Sequence, residues 1–553
     1  RNNKELIREI LKNRGIVSDE DIEEYLSDKP KETYDPFLLD SMREGVDSLI
    51  SEINAGGTIC IYGDYDADGV TSTCVMLCGI TRLTDKIFYY IPSRFDEGYG
   101  LNTKAIDRIK ERGATMILTV DCGCVSYTEV EYAKSIGLKV IVTDHHNIED
   151  KIADCIVIDP KKPVNFRKSI TEDYPCRDLA GCGVAFKFIQ ALQRQANLPK
   201  DVLNEALDMV AIGTIGDIVN LRGENRTLVK YGLIAANSGR RKSLVKLANA
   251  ISIDGINSEN VAFAIVPHIN ATGRMEEARI AVELFTSKDD MEIQSKVDKL
   301  ISCNNERKRV QEKAYEECLE YVDENDDFII LNLPNMHEGI AGIVAGKVKD
   351  KFNRPVIIVT PTEDGDLKGT GRSIPKIDIY EILNKNSELF KRFGGHKSAC
   401  GFLMDKDNYQ KLVEGIHRET RTLFEGDHDL FEKALNVDLE LEAGEVSVEL
   451  AKDLRRLAPF GEGNPSPKFI IKDVRIDNLS YMGAQMNHAR FRATPTGTSH
   501  WDGVNCVLFR KAKERAADLE SNRCFNIIGS LNYQVWRGQE KVQFFVEDIR
   551  DAN

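Results

Sequence analysis

Between residues 58 and 145 short apolar runs alternate with stretches of helical spacing. TICIYG (58–63), KIFYYIP (86–92), TMILTVD (115–121) and LKVIVTD (138–144) have the length and β-branched content of buried parallel strands. The intervening stretches 71–83, 103–112 and 126–136 repeat their apolar residues at helical spacing. This alternation predicts a doubly wound α/β domain built on a parallel sheet. Short helices are expected ahead of it over residues 1–48, and helical patterns continue through 182–196 and 201–214.

The longest periodic segment, 289–325, puts Ile293, Val297, Leu300, Val310, Ala314, Cys318 and Val322 at helical spacing among dense charges. A connector between domains and an amphipathic helix packed on one domain both fit that pattern. A second, smaller α/β pattern begins near 327, with FIILNLP (328–334) and RPVIIVT (354–360) as strands and a helix between them. After about 435, FIIKDVRI, CVLFRK, FNIIGSL and KVQFFVED alternate with turns, as in a small antiparallel barrel. The expected organisation is an N-terminal helical segment (1–48), an α/β catalytic domain (49–245), a helical connector (246–325), a smaller α/β domain (326–430) and a C-terminal barrel (431–553).

Composition narrows the class. A chain of 553 residues is too long for one hydrophobic core. No apolar run approaches the ~20 residues that cross a bilayer, and the N-terminus is a polar helical pattern, so no membrane role is expected. Thirteen cysteines without a CxxC pair fit neither a disulfide framework nor a zinc ribbon, and point to reduced thiols in the cytoplasm. The net charge of −15 argues at first against a nucleic-acid partner. It is uneven, however: residues 451–553 carry 16 Lys/Arg against 12 Asp/Glu, so the excess of acids lies in the rest of the chain. Part of that excess would be offset if acids hold cations.

The acids and histidines fall at element ends. Strand 58–63 runs into Asp64, Asp66 and Asp68; strand 115–121 ends in Asp121; strand 138–144 ends in Asp144-His145-His146; Asp217 follows the apolar stretch 209–216. Doubly wound sheets bind ligands outside the carboxyl ends of their strands, so these side chains converge on one edge. Clustering acids there is costly unless cations neutralise them. Oxygen donors with one or two imidazoles and no thiolate favour Mn²⁺ or Mg²⁺ over zinc. Two such ions ~3.5–4 Å apart activate water and polarise a phosphoryl oxygen. Asp121, on a middle strand, is the candidate for bridging them.

These blocks resemble the DHH phosphoesterases, whose name is spelled by Asp144-His145-His146. Tyr62–Gly69, Asp121-Cys122-Gly123 and Gly213–Asp217 are similar to the family's other three motifs. The resemblance implies Asp66, Asp68, Asp121, His145 and Asp217 as ligands of two divalent cations, Mn²⁺ or Mg²⁺. It implies His146 facing the scissile phosphate, with Asp64 and Asp144 as supporting acids. Many relatives have His where this chain has Tyr62, so no ligand is assigned at 62.

Gly394-Gly395-His396 resembles the glycine-rich block of the family's associated second domain, while Asn270–Arg274, His337-Glu338-Gly339, Gly369–Ser373 and Pro459–Pro465 resemble its RecJ branch, with the match running from about 35 to 545 and the order of blocks itself specific. That branch implies a single-strand-specific 5′→3′ exodeoxyribonuclease releasing 5′-mononucleotides in bacterial recombination and repair, with an OB-fold as its barrel. It further implies a cytoplasmic monomer, with a single-stranded-DNA-binding protein and a RecQ-type helicase as partners. Arg274, Thr370, Arg372 and Ser373, beside Gly394 and Gly395, would hold the terminal 5′ phosphate. His396 would touch the scissile or a neighbouring phosphate, and Arg94 would line the strand's path. In the barrel, Phe491, Trp501, Tyr533, Trp536 and Phe544 either stack on bases or fill the core. The alternatives are a DHH phosphodiesterase for short RNA oligomers or cyclic dinucleotides, which would not need the barrel, and a non-catalytic single-strand scaffold, which would not need every acid.

Overall fold

The computed structural model describes all residues except 94–96, 98–99, 498–502 and 553. One compact unit comprises Arg1–Pro92, Glu97–Val266 and Leu435–Asn553, and the other is built on Pro267–Ala434. In the first, parallel strands β1 (Ile59–Gly63), β2 (Ile87–Tyr90), β3 (Met116–Val120), β4 (Lys139–Thr143) and β5 (Ile156–Ile158) lie in the order β2-β1-β3-β4-β5. β1 and β3 are buried along their whole length, which is why they read as unbroken apolar runs. Connections run from β1 outward to β2 and then back to β3 on the other side, so the topological switch lies between β1 and β3. Tyr62 is fully buried under this sheet; its hydroxyl donates to the Gly100 carbonyl at 2.8 Å, and its ring stacks on Tyr90. All thirteen cysteines are free thiols.

The second unit holds a mixed sheet of β6 (Ile329–Asn332), β7 (Val356–Pro361), β8 (Leu367–Arg372), β9 (Phe390–His396) and β10 (Ala399–Met404), ordered β6-β7-β8-β10-β9. Only β6 and β7 run parallel; the rest pair antiparallel. The long periodic segment forms the helix Asp290–Leu319, ending before Val322, and packs on helices Arg279–Thr286 and Glu338–Phe352.

The barrel belongs to the first unit. Its strands are β11 (Leu439–Glu440), β12 (Phe469–Met482), β13 (His488–Pro495), β14 (Val504–Leu508), β15 (Cys524–Trp536) and β16 (Gln539–Asp551). The order β12-β13-β14-β16-β15 closes through β12–β15 pairing, with β14 and β16 parallel. That is the Greek-key closure of an OB-fold. Phe491 and Phe544 are 2% and 0% exposed, so both fill the core rather than stack on bases. Tyr533 is half-buried, with its hydroxyl donating to Glu540. Arg94 and Trp501 lie outside the described residues, as does the side chain of Trp536. On the outer surface Phe509 meets Phe545 edge-on at 5.2 Å, a pair the sequence pattern does not single out.

A buried ion pair anchors the segment after β5. Lys162 Nζ donates to Asp40 Oδ2 at 2.7 Å, and Asp40 also accepts the N–H groups of Ser169 and Ile170 at 2.9 and 3.1 Å. Burial alone would raise the Asp40 pKa, but these donors hold the carboxyl well below the usual range. A depressed carboxyl contributes stability above its unfolded pKa of ~3.9, and that stability is lost as pH falls toward the folded value. Asp40→Asn leaves Lys162 buried without a counter-charge and should cost about 3–5 kcal/mol at neutral pH. In thermal melts the gap to the parent should be widest near neutrality and shrink below about pH 4. A gap that does not change with pH would contradict the assignment.

Candidate metal centre and anion site

The centre is assembled at the switch point. β1 delivers the chain to Asp66, which caps the helix Ala67–Ile80 by accepting the N–H groups of Asp68 and Gly69 at 2.9 and 3.0 Å. Asp68, one residue into that helix, is 1% exposed. Its two oxygens accept the N–H groups of Gly181 and Cys182 at 2.6 and 2.8 Å, from the start of the helix Gly181–Gln195. A helix N-terminus thus points its partial positive charge into the acid cluster. A Cβ at 181 would stand 2.7 Å from Asp121 Cβ, so only glycine allows this approach.

Asp121 ends β3 with φ 59°, a left-handed backbone that Asp tolerates better than most residues. Its Oδ1 lies 3.0 Å from His145 Nε2, which is also 3.6 Å from Asp217 Oδ2 and 3.7 Å from Asp68 Oδ2. One imidazole nitrogen therefore faces three carboxylates. On its other side Asp121 joins Asp64 and Asp66, their ligand atoms lying within 4.8 Å of one another. Asp121 is the residue common to both groups. Asp144 is buried and works beneath them, accepting the N–H groups of Cys124 and His145 at 3.0 and 2.7 Å and the Nδ1–H of His146 at 2.7 Å.

Electrostatics follow from the packing. Burial, then the neighbouring Asp68, pushes Asp121 well above the carboxylate range. Burial and Asp66 push Asp68 up to about 7, and burial and Asp68 push Asp217 up to about 7. Burial lowers His145. His146 is held at about 9, because Asp144 outweighs the burial that would lower it. Asp144 stays well below the usual range despite its burial, owing to His146. Carboxylate oxygens around a neutral imidazole, with the ring's Nδ1 buried and unpartnered, make a donor set suited to Mn²⁺ or Mg²⁺. The residues fit divalent cations.

Two supporting features escape sequence reasoning. Gly181 and Cys182 act through main-chain N–H groups, which no side-chain pattern announces. Asp159, after the three-residue β5, is 3% exposed and stands within 4.8 Å of Asp144 and Cys124. Burial, then Asp144, drives its pKa well above the carboxylate range.

The second unit gathers cationic side chains around the start of the helix Glu338–Phe352. Arg274 Nη1 donates to the Gly339 carbonyl at 2.7 Å, and a Cβ at Gly342 would lie 2.7 Å from Arg372 Nη2 and 3.5 Å from Thr370 Oγ1. Sheet register completes the surface: Arg372, Ala399 and His396 stand side by side across β8, β10 and β9, as do Thr370, Gly401 and Gly394. Small residues leave the sheet flat between the guanidinium and the imidazole, and a helix N-terminus adjoins them. These are the parts of an anion site. Gly395 takes φ +145° at the end of β9, where a Cβ would meet the Ala399 carbonyl at 2.4 Å. Ser373 is not arranged like the others, since its hydroxyl is engaged by the Ile377 carbonyl at 2.8 Å.

The raised carboxyls generate a prediction for the metal-free protein. Asp68 and Asp217 titrate near 7 when folded and near 3.9 when unfolded, so their stabilising contribution is lost as pH rises through about 7. With EDTA, the melting temperature should therefore fall as pH rises from about 4 to about 7 and level off above that. Mn²⁺ should restore it by an amount that grows with pH, about 2.7 kcal/mol at 100-fold over Kd. Asp121→Asn should melt higher than the parent in EDTA and lose the Mn²⁺ shift. An undiminished shift in that variant would remove Asp121 from the centre.

Comparison with known proteins places these features. The model described as DHH family, N-terminal domain, matches residues 58–214, the DHHA1 domain matches 325–422, and the RecJ OB domain matches 437–548. The chain is 34% identical over 552 residues to a Bacillus subtilis protein named single-stranded-DNA-specific exonuclease RecJ, covering 98% of this chain and 67% of that protein. It is 31% identical over 570 residues to the Salmonella typhimurium protein of the same name, covering 98% and 95%. Its fold matches the crystal structure of RecJ from Thermus thermophilus in complex with Mn²⁺ with a TM-score of 0.82 at 28% identity, over 99% of this chain and 76% of that one. The DHH, DHHA1 and RecJ OB models match in that order along the chain, the named relatives align with 98% of it, and the chain belongs to the RecJ family of the DHH proteins.

Proposed function

We propose that this protein is a single-stranded-DNA-specific 5′→3′ exonuclease that hydrolyses phosphodiesters with two divalent cations and releases 5′-mononucleotides. The observation that carries the reading is one imidazole nitrogen facing three carboxylates, in a chain that also builds a closed OB barrel. The family's named relatives act on single-stranded DNA, and the barrel architecture suits that polymer. A phosphodiesterase for short RNA oligomers or cyclic dinucleotides is not favoured, because it leaves the barrel without a task.

Asp66, Asp68, Asp121, His145 and Asp217 would hold the cations, with Asp121 reaching both. Bound there, the cations supply Lewis acidity toward the phosphoryl oxygens and make water a competent nucleophile at neutral pH. The chain's own residues then orient and stabilise. Asp144 accepts the His146 Nδ1–H and keeps that ring protonated, so its Nε2–H is available to a phosphoryl oxygen bearing developing charge. The half-exposed His146 can meet substrate, whereas the buried Asp144 acts through it. Asp64 packs beside Asp66 and Asp121 as a supporting acid. In the second unit Arg274, Thr370 and Arg372 bind the terminal 5′ phosphate, and His396 contacts a neighbouring phosphate. Gly394 and Gly395 let the backbone approach it. A cytoplasmic monomer acting in recombination and repair, with a single-stranded-DNA-binding protein and a RecQ-type helicase as partners, completes the reading; the family likeness and the free thiols support it.

The direct test is Mn²⁺-dependent digestion of a 5′-phosphorylated, 3′-labelled single strand beside the same sequence as a blunt duplex. Successive shortening from the 5′ end is expected for the single strand alone, and none for Asp121→Ala, which should still bind the strand. Cleavage restricted to di- to tetranucleotides would overturn the exonuclease reading. Arg372→Ala should lower kcat/KM on 5′-phosphorylated strands by about 10- to 100-fold, as expected for loss of a charge-assisted contact. An equal loss on 5′-hydroxyl strands would assign Arg372 another task.

A further inference from the structure

The residues that follow Asp217 are held by the turn that precedes the barrel. Asp217 caps the helix Asp201–Gly216, and the next residue, Ile218, has φ 58°. A left-handed backbone at a β-branched residue is costly and persists only where the surroundings over-determine it. Two clamps over-determine this strap. From the catalytic body, Asn225 Nδ2 donates to the Asn220 carbonyl at 3.0 Å. From the pre-barrel turn, the Glu462 carbonyl accepts Leu221 N–H at 2.8 Å, and the Gly463 carbonyl accepts Arg222 Nε–H at 2.7 Å.

The turn is itself fixed from several sides. Asn464 is fully buried; its Nδ2 donates to the Leu457 and Pro459 carbonyls at 2.8 Å each, and its Oδ1 accepts from Arg14 Nη1 at 2.8 Å. Phe460 N–H donates to Ser258 Oγ at 3.0 Å. Gly463 lies against the strap with φ +69°, and a Cβ there would stand 2.1 Å from Asn220 Oδ1. Close approach and left-handed backbone both exclude a side chain at 463.

We propose that the turn 459–465 is a positioning element for Asp217: through Leu221, Arg222 and Asn220 it fixes the strap that sets this carboxylate in the cation site. The inference rests on the assignment of Asp217 to that site. It gives the Pro-Phe-Gly-Glu-Gly-Asn-Pro block a role in the chemistry rather than in strand binding, and it predicts that a change there, in sequence far from the acids of the cation site, alters cation affinity.

The experiment uses the full chain. Gly463→Ala should weaken Mn²⁺ binding, read by calorimetry or by electron paramagnetic resonance of free Mn²⁺, by about 10-fold. It should lower kcat on single-stranded DNA by about 10- to 100-fold, the scale expected for misplacing a catalytic group by about 1 Å. KM for long strands should stay within about 2-fold, since the barrel surface is untouched. Adding Asn220→Ala removes the atoms that the new methyl meets but not the backbone strain at φ +69°, so the double variant should recover only part of the way toward Asn220→Ala alone. Arg222→Gln, which adds no bulk, should shift Mn²⁺ affinity in the same direction and serves if Gly463→Ala fails to fold. A change confined to KM or to melting temperature, with Mn²⁺ binding as in the parent, would overturn the proposal. Asp217→Asn separates the two levels: if it binds Mn²⁺ like the parent, the site assignment falls and the inference with it. If it loses Mn²⁺ while Gly463→Ala and Arg222→Gln do not, the inference alone falls.

Discussion

The repulsion among buried carboxylates at the β1–β3 switch governs the rest of the first unit. Asp68, Asp121 and Asp217 crowd one His145 nitrogen, and burial denies Asp68 and Asp121 the water that would screen them. Three structural devices hold them there. The helix Gly181–Gln195 aims its N-terminus at Asp68. A left-handed backbone turns Asp121 inward at the end of β3. Asp144 stays charged beneath the pair of histidines and fixes both main-chain and ring donors. None of these removes the excess negative charge; protons or cations must. Carboxyls that titrate near 7 place protons and divalent cations in direct competition at physiological pH.

The second unit solves the complementary problem. There a helix start, two guanidiniums and a flat strip of Gly and Ala across β8, β10 and β9 create local positive potential without large net charge. A net charge of −15 therefore coexists with a locally cationic surface. The clustered acids belong to the first unit and these cationic side chains to the second. Net charge describes long-range encounter, whereas the short-range contacts are set by where individual side chains lie.

Legibility in the sequence followed geometry. β1, β3 and β4 were readable because burial makes a strand an apolar run, and the acids were readable because they sit where such runs stop. β5, with three residues, is too short to carry a period, and Asp159 was hidden with it. β8 and β9 were hidden for another reason: their glycines, which flatten the anion surface, are residues that strands usually avoid. Arg274, Thr370, Arg372 and His396 came from family resemblance, and no periodicity would have brought them together. Phe491 and Phe544 could not be told from base-stacking rings, because which face a barrel residue occupies depends on register, and register depends on partners distant in sequence.

The barrel is not an appendage to the catalytic sheet. Its core is shared with the N-terminal helices: Leu6, Ile7, Ile10 and Leu11 are buried in the same cluster as Phe469, Phe491 and Phe544. The chain thus leaves the first unit after Val266, builds the second, and returns at Leu435 to complete the first. Arg226 strengthens that return, donating from a helix of the catalytic body to the carbonyls of Leu457 and Ala458. Removing the barrel would expose the apolar face of the N-terminal helices and strip the buried Arg226 guanidinium of its Leu457 and Ala458 acceptors, a cost quite apart from lost contact with a strand. The barrel and the acids of the catalytic sheet are held by one folded body, so displacing the barrel strains the frame in which those acids are fixed.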